Sequence, residues 1–269
     1  MHEHTFWELY ALDSALIPLY AVFLGLLGAV LGSFFDCVAA RHAAGESPWK
    51  GRSRCDSCGR ELRALELIPI FSYLIQRGRC RRCGAKIPAD ALWAEVAGAA
   101  GAAAIVLRFG LSLETVQWLI FGALLLWLSL EDHHRRILPD GLLIAAAAVR
   151  LAFWLIPPDR LARLPGLIGS ALSVSLPLLI LVLVMDKVMK RETMGGGDIK
   201  LFFVVGLYFT WPETVLTLLA SCPLGLLYAV LTRKKRTDPM PFGPWIALGT
   251  VVTAVFGGPL IDWYLSLLI

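Results

Sequence analysis

Leu167-Ile168-Gly169-Ser170-Ala171-Leu172-Ser173-Val174-Ser175-Leu176-Pro177-Leu178-Leu179-Ile180-Leu181-Val182-Leu183-Val184-Met185 carries no charged side chain from end to end. As a helix it is long enough for the hydrocarbon core of a bilayer, which takes about 20 mostly apolar residues. Seven more apolar runs flank it, at about 15–35, 92–107, 116–130, 141–156, 201–209, 215–231 and 245–268. The 269-residue chain is 57% hydrophobic and only 17% charged, with a mean hydropathy of +0.68, which sets a soluble domain aside. The expected fold is an all-α polytopic membrane protein with about eight transmembrane helices.

Charge orients these helices. Between the first two runs lies the one long polar segment, 36–90, with Arg41, Lys50, Arg52, Arg54, Arg60, Arg63, Arg77, Arg79, Arg81, Arg82 and Lys86. Lys and Arg mark the cytoplasmic side, so this segment is expected inside and the N-terminus outside. Alternating from there, 132–139, 187–200 and 232–243 also fall inside. Of the 25 Lys and Arg, only Arg108, Arg150, Arg160 and Arg163 are left elsewhere. Eight spans then put both termini outside. Orientation in a membrane accounts for the net charge of +4, so membrane lipid is an expected partner and nucleic acid is not. The first run is expected to be retained: Glu3, Glu8 and Asp13 precede it with no Lys or Arg, whereas a signal peptide opens on positive charge. In the second run, Ala97-Gly98-Ala99-Ala100-Gly101-Ala102-Ala103-Ala104 offers the small residues that let helices pack closely in lipid.

Chemistry enters with Met194-Gly195-Gly196-Gly197-Asp198-Ile199-Lys200, where a polar segment gives way to the run at 201–209. An ionisable group at a membrane boundary is costly to keep and marks a candidate functional site. The glycines beside it, lacking Cβ, let another chain come close. On the same expected face, the run at 116–130 ends in Glu131-Asp132-His133-His134-Arg135-Arg136-Ile137-Leu138-Pro139-Asp140. Two carboxylates brought within hydrogen-bonding reach share one proton, because both cannot ionise cheaply. One then acts as general base on a water and the other donates to the carbonyl or leaving group, which is peptide hydrolysis without a metal. The residues alone leave a second possibility open. Glu131, Asp132 and Asp140 could be solvated loop charges paired with Arg135 and Arg136, with Pro139 and Asp140 opening the next helix. His133 and His134 read as exposed loop residues.

Four of the six cysteines form Cys55-x-x-Cys58 and Cys80-x-x-Cys83. Each pair places two thiolates on one tight turn, and two such turns complete a tetrahedron around zinc. The intervening stretch, 59–79, is slightly longer than in the usual four-cysteine site. With no open coordination position the role of zinc would be structural, bracing a zinc-ribbon-like loop between the first two helices. Disulfides are the competing pairing, but a cytoplasmic loop keeps its thiols reduced. Cys37 and Cys222 read as small apolar residues of membrane spans, and Arg79, Arg81 and Arg82 as a positive loop face.

An aspartate eight residues before the Asp of Leu138-Pro139-Asp140, with Gly195-x-Gly197-Asp198-x-Lys200, resembles the type IV prepilin peptidases, membrane aspartyl proteases of the Gly-x-Gly-Asp type. Gly32-Ser33-Phe34-Phe35-Asp36 with Arg41, Leu67-Ile68-Pro69 with Ser72, Arg77-Gly78-Arg79-Cys80 and Pro241-Phe242-Gly243-Pro244 are similar to other motifs of that family. The likeness covers nearly the whole chain. It implies that Asp132 and Asp198 are the catalytic pair, supported by Gly195, Gly197, Lys200 and Asp140. It further implies cleavage of the leader of type IV prepilins or type II secretion pseudopilins at the cytoplasmic face of a bacterial inner membrane. N-methylation of the new terminus with S-adenosylmethionine would follow, though no residue is implied for binding that donor. The corresponding segments are a tail and first helix at 1–35, a four-cysteine methyltransferase region at 36–90 and a protease domain at 91–269. The chain departs from the family in Cys55-Asp56-Ser57-Cys58, which lacks proline after the first cysteine, and in 59–67, which lacks His and Trp. A peptidase without methyl transfer is therefore the first alternative. A proton- or cation-coupled transporter is the second, but its acids would sit near the midplane on broken helices rather than at helix ends on one side.

Overall fold

The computed structural model describes residues 3–48, 51–158, 160–190, 193–232 and 240–267. Lys50, Arg191 and the basic run Arg233, Lys234, Lys235 and Arg236, all used above for orientation, lie outside the described residues. So do the side chains of Glu3, Glu8, Asp13 and Arg160. The helices are α1 (Glu3–Ala43), α2 (Phe71–Ile75), α3 (Asp90–Phe109), α4 (Leu113–Arg135), α5 (Asp140–Trp154), α6 (Arg160–Met189), α7 (Gly196–Tyr208), α8 (Trp211–Leu231) and α9 (Gly243–Ser266). A 3-10 turn at Ala64–Glu66 and two isolated β-bridges complete the regular structure among the described residues.

All eight apolar runs lie in helices. Six of them, α1, α3, α4, α6, α8 and α9, are long and apolar enough to cross a membrane, which makes this a multi-pass membrane protein. The other two are short: α5 has 15 residues and α7 has 13. At 1.5 Å per residue they rise about 22 and 20 Å, less than the roughly 30 Å of a hydrocarbon core. The polar segment also begins later than 36, because α1 continues to Ala43, and α4 likewise runs past Leu130 to Arg135. Residues that look like loop in sequence are helical here because their polar groups find partners on neighbouring helices, described below.

The chain divides into two compact units, Met1–Arg135 and Arg136–Ile269. In the first, α1 packs along α3 and α4, and α3 packs on α4. The α1–α3 seam is a glycine contact: a Cβ on Gly28 would strike the Gly98 carbonyl, and one on Gly32 would strike that of Ala94. This is the close packing expected of the small-residue run in α3. Nearer the end of α1, Phe35, Ala39, Ala94 and Leu130 form a buried cluster. Phe35 stacks on Trp127 there, with ring centroids 5.0 Å apart.

In the second unit α7 is the central element, packing against α5, α6, α8 and α9. Gly206 lets α7 press on α6, since a Cβ there would come within 2.6 Å of the Ser170 carbonyl. Seven of its 13 residues are buried, so protein rather than lipid surrounds most of this short helix. Arg150 of α5, one of the four basic residues outside the expected inner segments, donates to the Leu207 carbonyl at 2.7 Å. A cation at a helix C-terminus meets carbonyls left without intrahelical partners. Tyr208 donates to the Ala146 carbonyl at 2.7 Å, and the Arg150 guanidinium lies 5.9 Å from the Tyr208 ring centre.

Candidate active site and cysteine cluster

Asp198 stands in the first turn of α7, behind an N-cap at Gly195 with extended backbone (φ −66°, ψ 132°). A helix N-terminus favours a carboxylate, because its free N–H groups carry partial positive charge. The three glycines before Asp198 differ in their surroundings. A Cβ on Gly197 would sit 3.1 Å from Leu138 Cβ, so this glycine lets the start of α7 press on Leu138-Pro139-Asp140. Gly196 faces open space, and a Cβ on Gly195 would meet only the Asp198 carboxylate, at 3.6 Å. Asp140 opens α5 with Pro139 as N-cap. Lys200 donates to Asp140 at 2.7 Å, an exposed ion pair that ties the two motif segments of this unit together.

In the first unit Glu131 and Asp132 occupy the last turn of α4 and are 1% and 6% exposed. They are not solvated loop charges. Glu131 accepts from Trp127 at 3.2 Å and from Arg135 at 3.3 Å, and it pairs with His42 of α1 at 2.6 Å. His134 pairs with Asp36 of α1 at 2.8 Å, and His133 with Asp90 of α3 at 3.5 Å. The histidines expected in an exposed loop therefore hold helices together. Sequence inspection missed Asp36 and His42 as members of this cluster. Asp36 stands in the family-like motif at 32–36, which gave it no partner, and the signal at His42 was a polar residue continuing an apolar helix.

The sulfurs of Cys55, Cys58, Cys80 and Cys83 all lie within 4.8 Å of one another, with Cys55 and Cys83 3.9 Å apart. Tetrahedral zinc with Zn–S bonds of about 2.3 Å would place its sulfurs about 3.8 Å apart. Two like turns build the cluster. In each, the N–H of a glycine bonds the carbonyl of the first cysteine, Gly59 to Cys55 at 2.8 Å and Gly84 to Cys80 at 2.9 Å. Both glycines adopt positive φ, 68° and 70°, a region that side chains with a Cβ rarely enter. The bridges Arg54 to Glu61 and Arg79 to Lys86 close the two turns. The pattern Arg-Cys-x-x-Cys-Gly thus occurs twice, at 54–59 and 79–84, a repeat that was legible in the sequence and overlooked.

The N–H groups of Cys83 and Arg82 hold the Cys80 thiol down at about 6. The N–H of Ala85 draws Cys83 the same way, but burial and the other sulfurs outweigh it and push that thiol up to about 11. Four sulfurs so close cannot all carry charge cheaply, whereas a cation at their centre lets all four ionise. The donor set and spacing can hold a metal ion such as zinc.

Beside the cluster, the Arg60 guanidinium bonds Glu66 at 2.6 Å, and with the Arg63 N–H it keeps that carboxyl below its usual range. Ile70, a β-branched residue at φ 62°, sits in a region such residues avoid. The Glu95 carboxylate accepts its N–H at 2.6 Å and holds it there. Cys37 is partly buried in α1, whereas Cys222 lies exposed on α8.

Two family models match the chain: the Bacterial Peptidase A24 N-terminal domain over residues 26–109, and the Type IV leader peptidase family over residues 119–230. Among curated proteins, a "Prepilin leader peptidase/N-methyltransferase" of Bacillus subtilis (strain 168) is 34% identical over 248 residues, covering 91% of this chain and 97% of its own. A protein of the same description from Pseudomonas putida is 31% identical over 284 residues, 94% of this chain and 95% of its own. Another, from Myxococcus xanthus (strain DK1622), is 35% identical over 216 residues, 80% and 63% of the two chains. No solved structure matches. With both family models side by side along one chain and relatives aligned nearly end to end, the protein is a member of the type IV leader peptidase family.

Proposed function

We propose that this protein is a membrane aspartyl endopeptidase that removes the leader of type IV prepilins or type II secretion pseudopilins and then methylates the new N-terminus. The observation that carries the proposal is the match of both family models together with near full-length relatives described as having both activities. Peptide hydrolysis is assigned to 91–269 and methyl transfer to the four-cysteine region at 36–90. By the distribution of Lys and Arg, the active site faces the cytoplasm and both termini lie outside; family membership points to the bacterial cytoplasmic (inner) membrane.

Asp132 and Asp198 are the catalytic pair in this scheme. The ionised carboxylate takes a proton from water as the water oxygen attacks the scissile carbonyl carbon, while the protonated partner donates to the carbonyl oxygen. When the C–N bond breaks, a proton passes to the leaving amine, and the pair again holds one proton. Gly195 and Gly196 leave room for the substrate backbone, Gly197 seats α7, and the Lys200–Asp140 pair steadies that seat. S-adenosylmethionine would supply the methyl group. Zinc on Cys55, Cys58, Cys80 and Cys83 is structural, with no position left for substrate.

Purified protein in liposomes, given prepilin and S-adenosylmethionine, tests this by mass spectrometry of the product. Asp132→Asn and Asp198→Asn should each lose leader cleavage by about 10²- to 10⁴-fold, the usual range for removing a general acid or base. Full cleavage by either variant would overturn the pair. Loop 59–67, which departs from the family pattern, favours the narrower alternative, and a cleaved product without the added methyl mass would support it. Cys80→Ser should lose one equivalent of bound zinc by elemental analysis and make 51–89 open to proteolysis, since structural zinc supplies folding free energy. Undiminished metal content would refute the zinc assignment.

A further inference from the structure

Two histidine–carboxylate pairs fix the last turn of α4 against α1, and the proposed catalytic Asp132 lies in that turn. Glu131 meets His42 at 2.6 Å, and His134 meets Asp36 at 2.8 Å. Three of the four side chains are at most 19% exposed, and His42 is 31% exposed. Glu131 and His134 are three residues apart and share a helix face. Asp132 is turned about 100° from Glu131 at 3.6 residues per turn. Two bonds on one face, to two different residues of α1, remove the freedom of this turn to rotate about its axis. A frayed end would let Asp132 swing. Trp127 and Arg135, from α4 itself, complete the set facing Glu131, and His133 with Asp90 of α3 adds a looser third tie.

We propose that His42 and His134 are positioning residues for leader cleavage: bonded to Glu131 and Asp36, they set the rotation of the end of α4 and thereby aim Asp132. The proposal rests on the peptidase function above. Neither histidine touches the substrate in this scheme, so its loss should appear in kcat and not in KM.

The geometry supplies a test that separates aiming from general stability. His42 bonds through Nδ1, which an asparagine amide nitrogen imitates, and His134 bonds through Nε2, which a glutamine amide nitrogen imitates. His42→Asn and His134→Gln keep a donor in place, while His42→Gln and His134→Asn move it by about one bond. In liposomes with prepilin, the matched variants should keep kcat within about threefold of the parent. The mismatched ones should lose at least about tenfold with KM unchanged, since displacement of about 1 Å at a catalytic group costs up to about 10²-fold. Mismatched variants as fast as matched ones, or a change confined to KM, would overturn the positioning role. Asp132→Asn in parallel keeps the two claims apart. If it cleaves at the parental rate, the peptidase assignment of Asp132 fails. If it is inactive while all four histidine variants are fully active, only the positioning role fails.

Discussion

The two proposed catalytic aspartates occupy opposite kinds of helix end. Asp198 opens a short helix, where the dipole favours a carboxylate and glycines leave the approach open. Asp132 closes a long helix, where the dipole disfavours an acid and a second acid, Glu131, is buried beside it. The chain answers the difficulty at that end with basic side chains: His133, His134 and Arg135 fill the last turn of α4, and His42 reaches it from α1. Beside Asp198, Gly196 leaves open space; beside Asp132, the neighbouring Glu131, His133 and His134 are tied to α1 and α3. The start of α7 is thus open where the end of α4 is braced.

Short of removing an aspartate, the largest expected effect comes from crowding the start of α7. Gly197→Val should force the first turn of α7 away from Leu138, where a Cβ alone already comes to 3.1 Å. Leader cleavage should then fall by about 10²-fold through kcat, the scale of a small misplacement of a catalytic group. Gly196→Val faces open space in the protein, so it should leave kcat nearly intact and raise KM by obstructing the substrate. Steady-state kinetics on both variants decides. Equal effects on kcat would mean that the open glycines serve the fold and not the substrate.

The same contrast explains what could be read from the sequence. Asp198 was legible, because its surroundings are local: three glycines, an acid and a lysine lie between 195 and 200, followed by an apolar run. Membrane class and the eight apolar helices were legible for the same reason, since each run is continuous. The end of α4 was not. Whether Glu131, His133 and His134 belong to a helix or a loop depends on Asp36, His42 and Asp90, which are distant in sequence and become neighbours only when α1, α3 and α4 pack. Helix ends therefore shifted at both 36 and 131, where tertiary partners replaced the water that a loop would have needed. The brevity of α7 escaped notice differently: its burial by four other helices relieves it of the length that lipid would demand. In the cysteine loop, Gly59 and Gly84 were visible all along, but their positive φ gives meaning to the repeat only once the two turns face each other.

The smallest effects should separate the two ends by stability alone. Glu131 is 1% exposed, and its removal strands the Trp127 N–H, the His42 ring nitrogen and the Arg135 guanidinium. Glu131→Ala should cost about 3 kcal/mol or more in equilibrium unfolding from mixed micelles, as breaking a buried pair by deleting one partner usually does. Lys200 and Asp140 are 59% and 65% exposed and form a single bond. Lys200→Met should cost at most about 1 kcal/mol, because water screens such pairs and holding two long side chains in register spends what the attraction returns. If the two variants were equally destabilised, the end of α4 would be no better braced than the start of α7. The contrast between the two helix ends would then have to be sought in chemistry and not in packing.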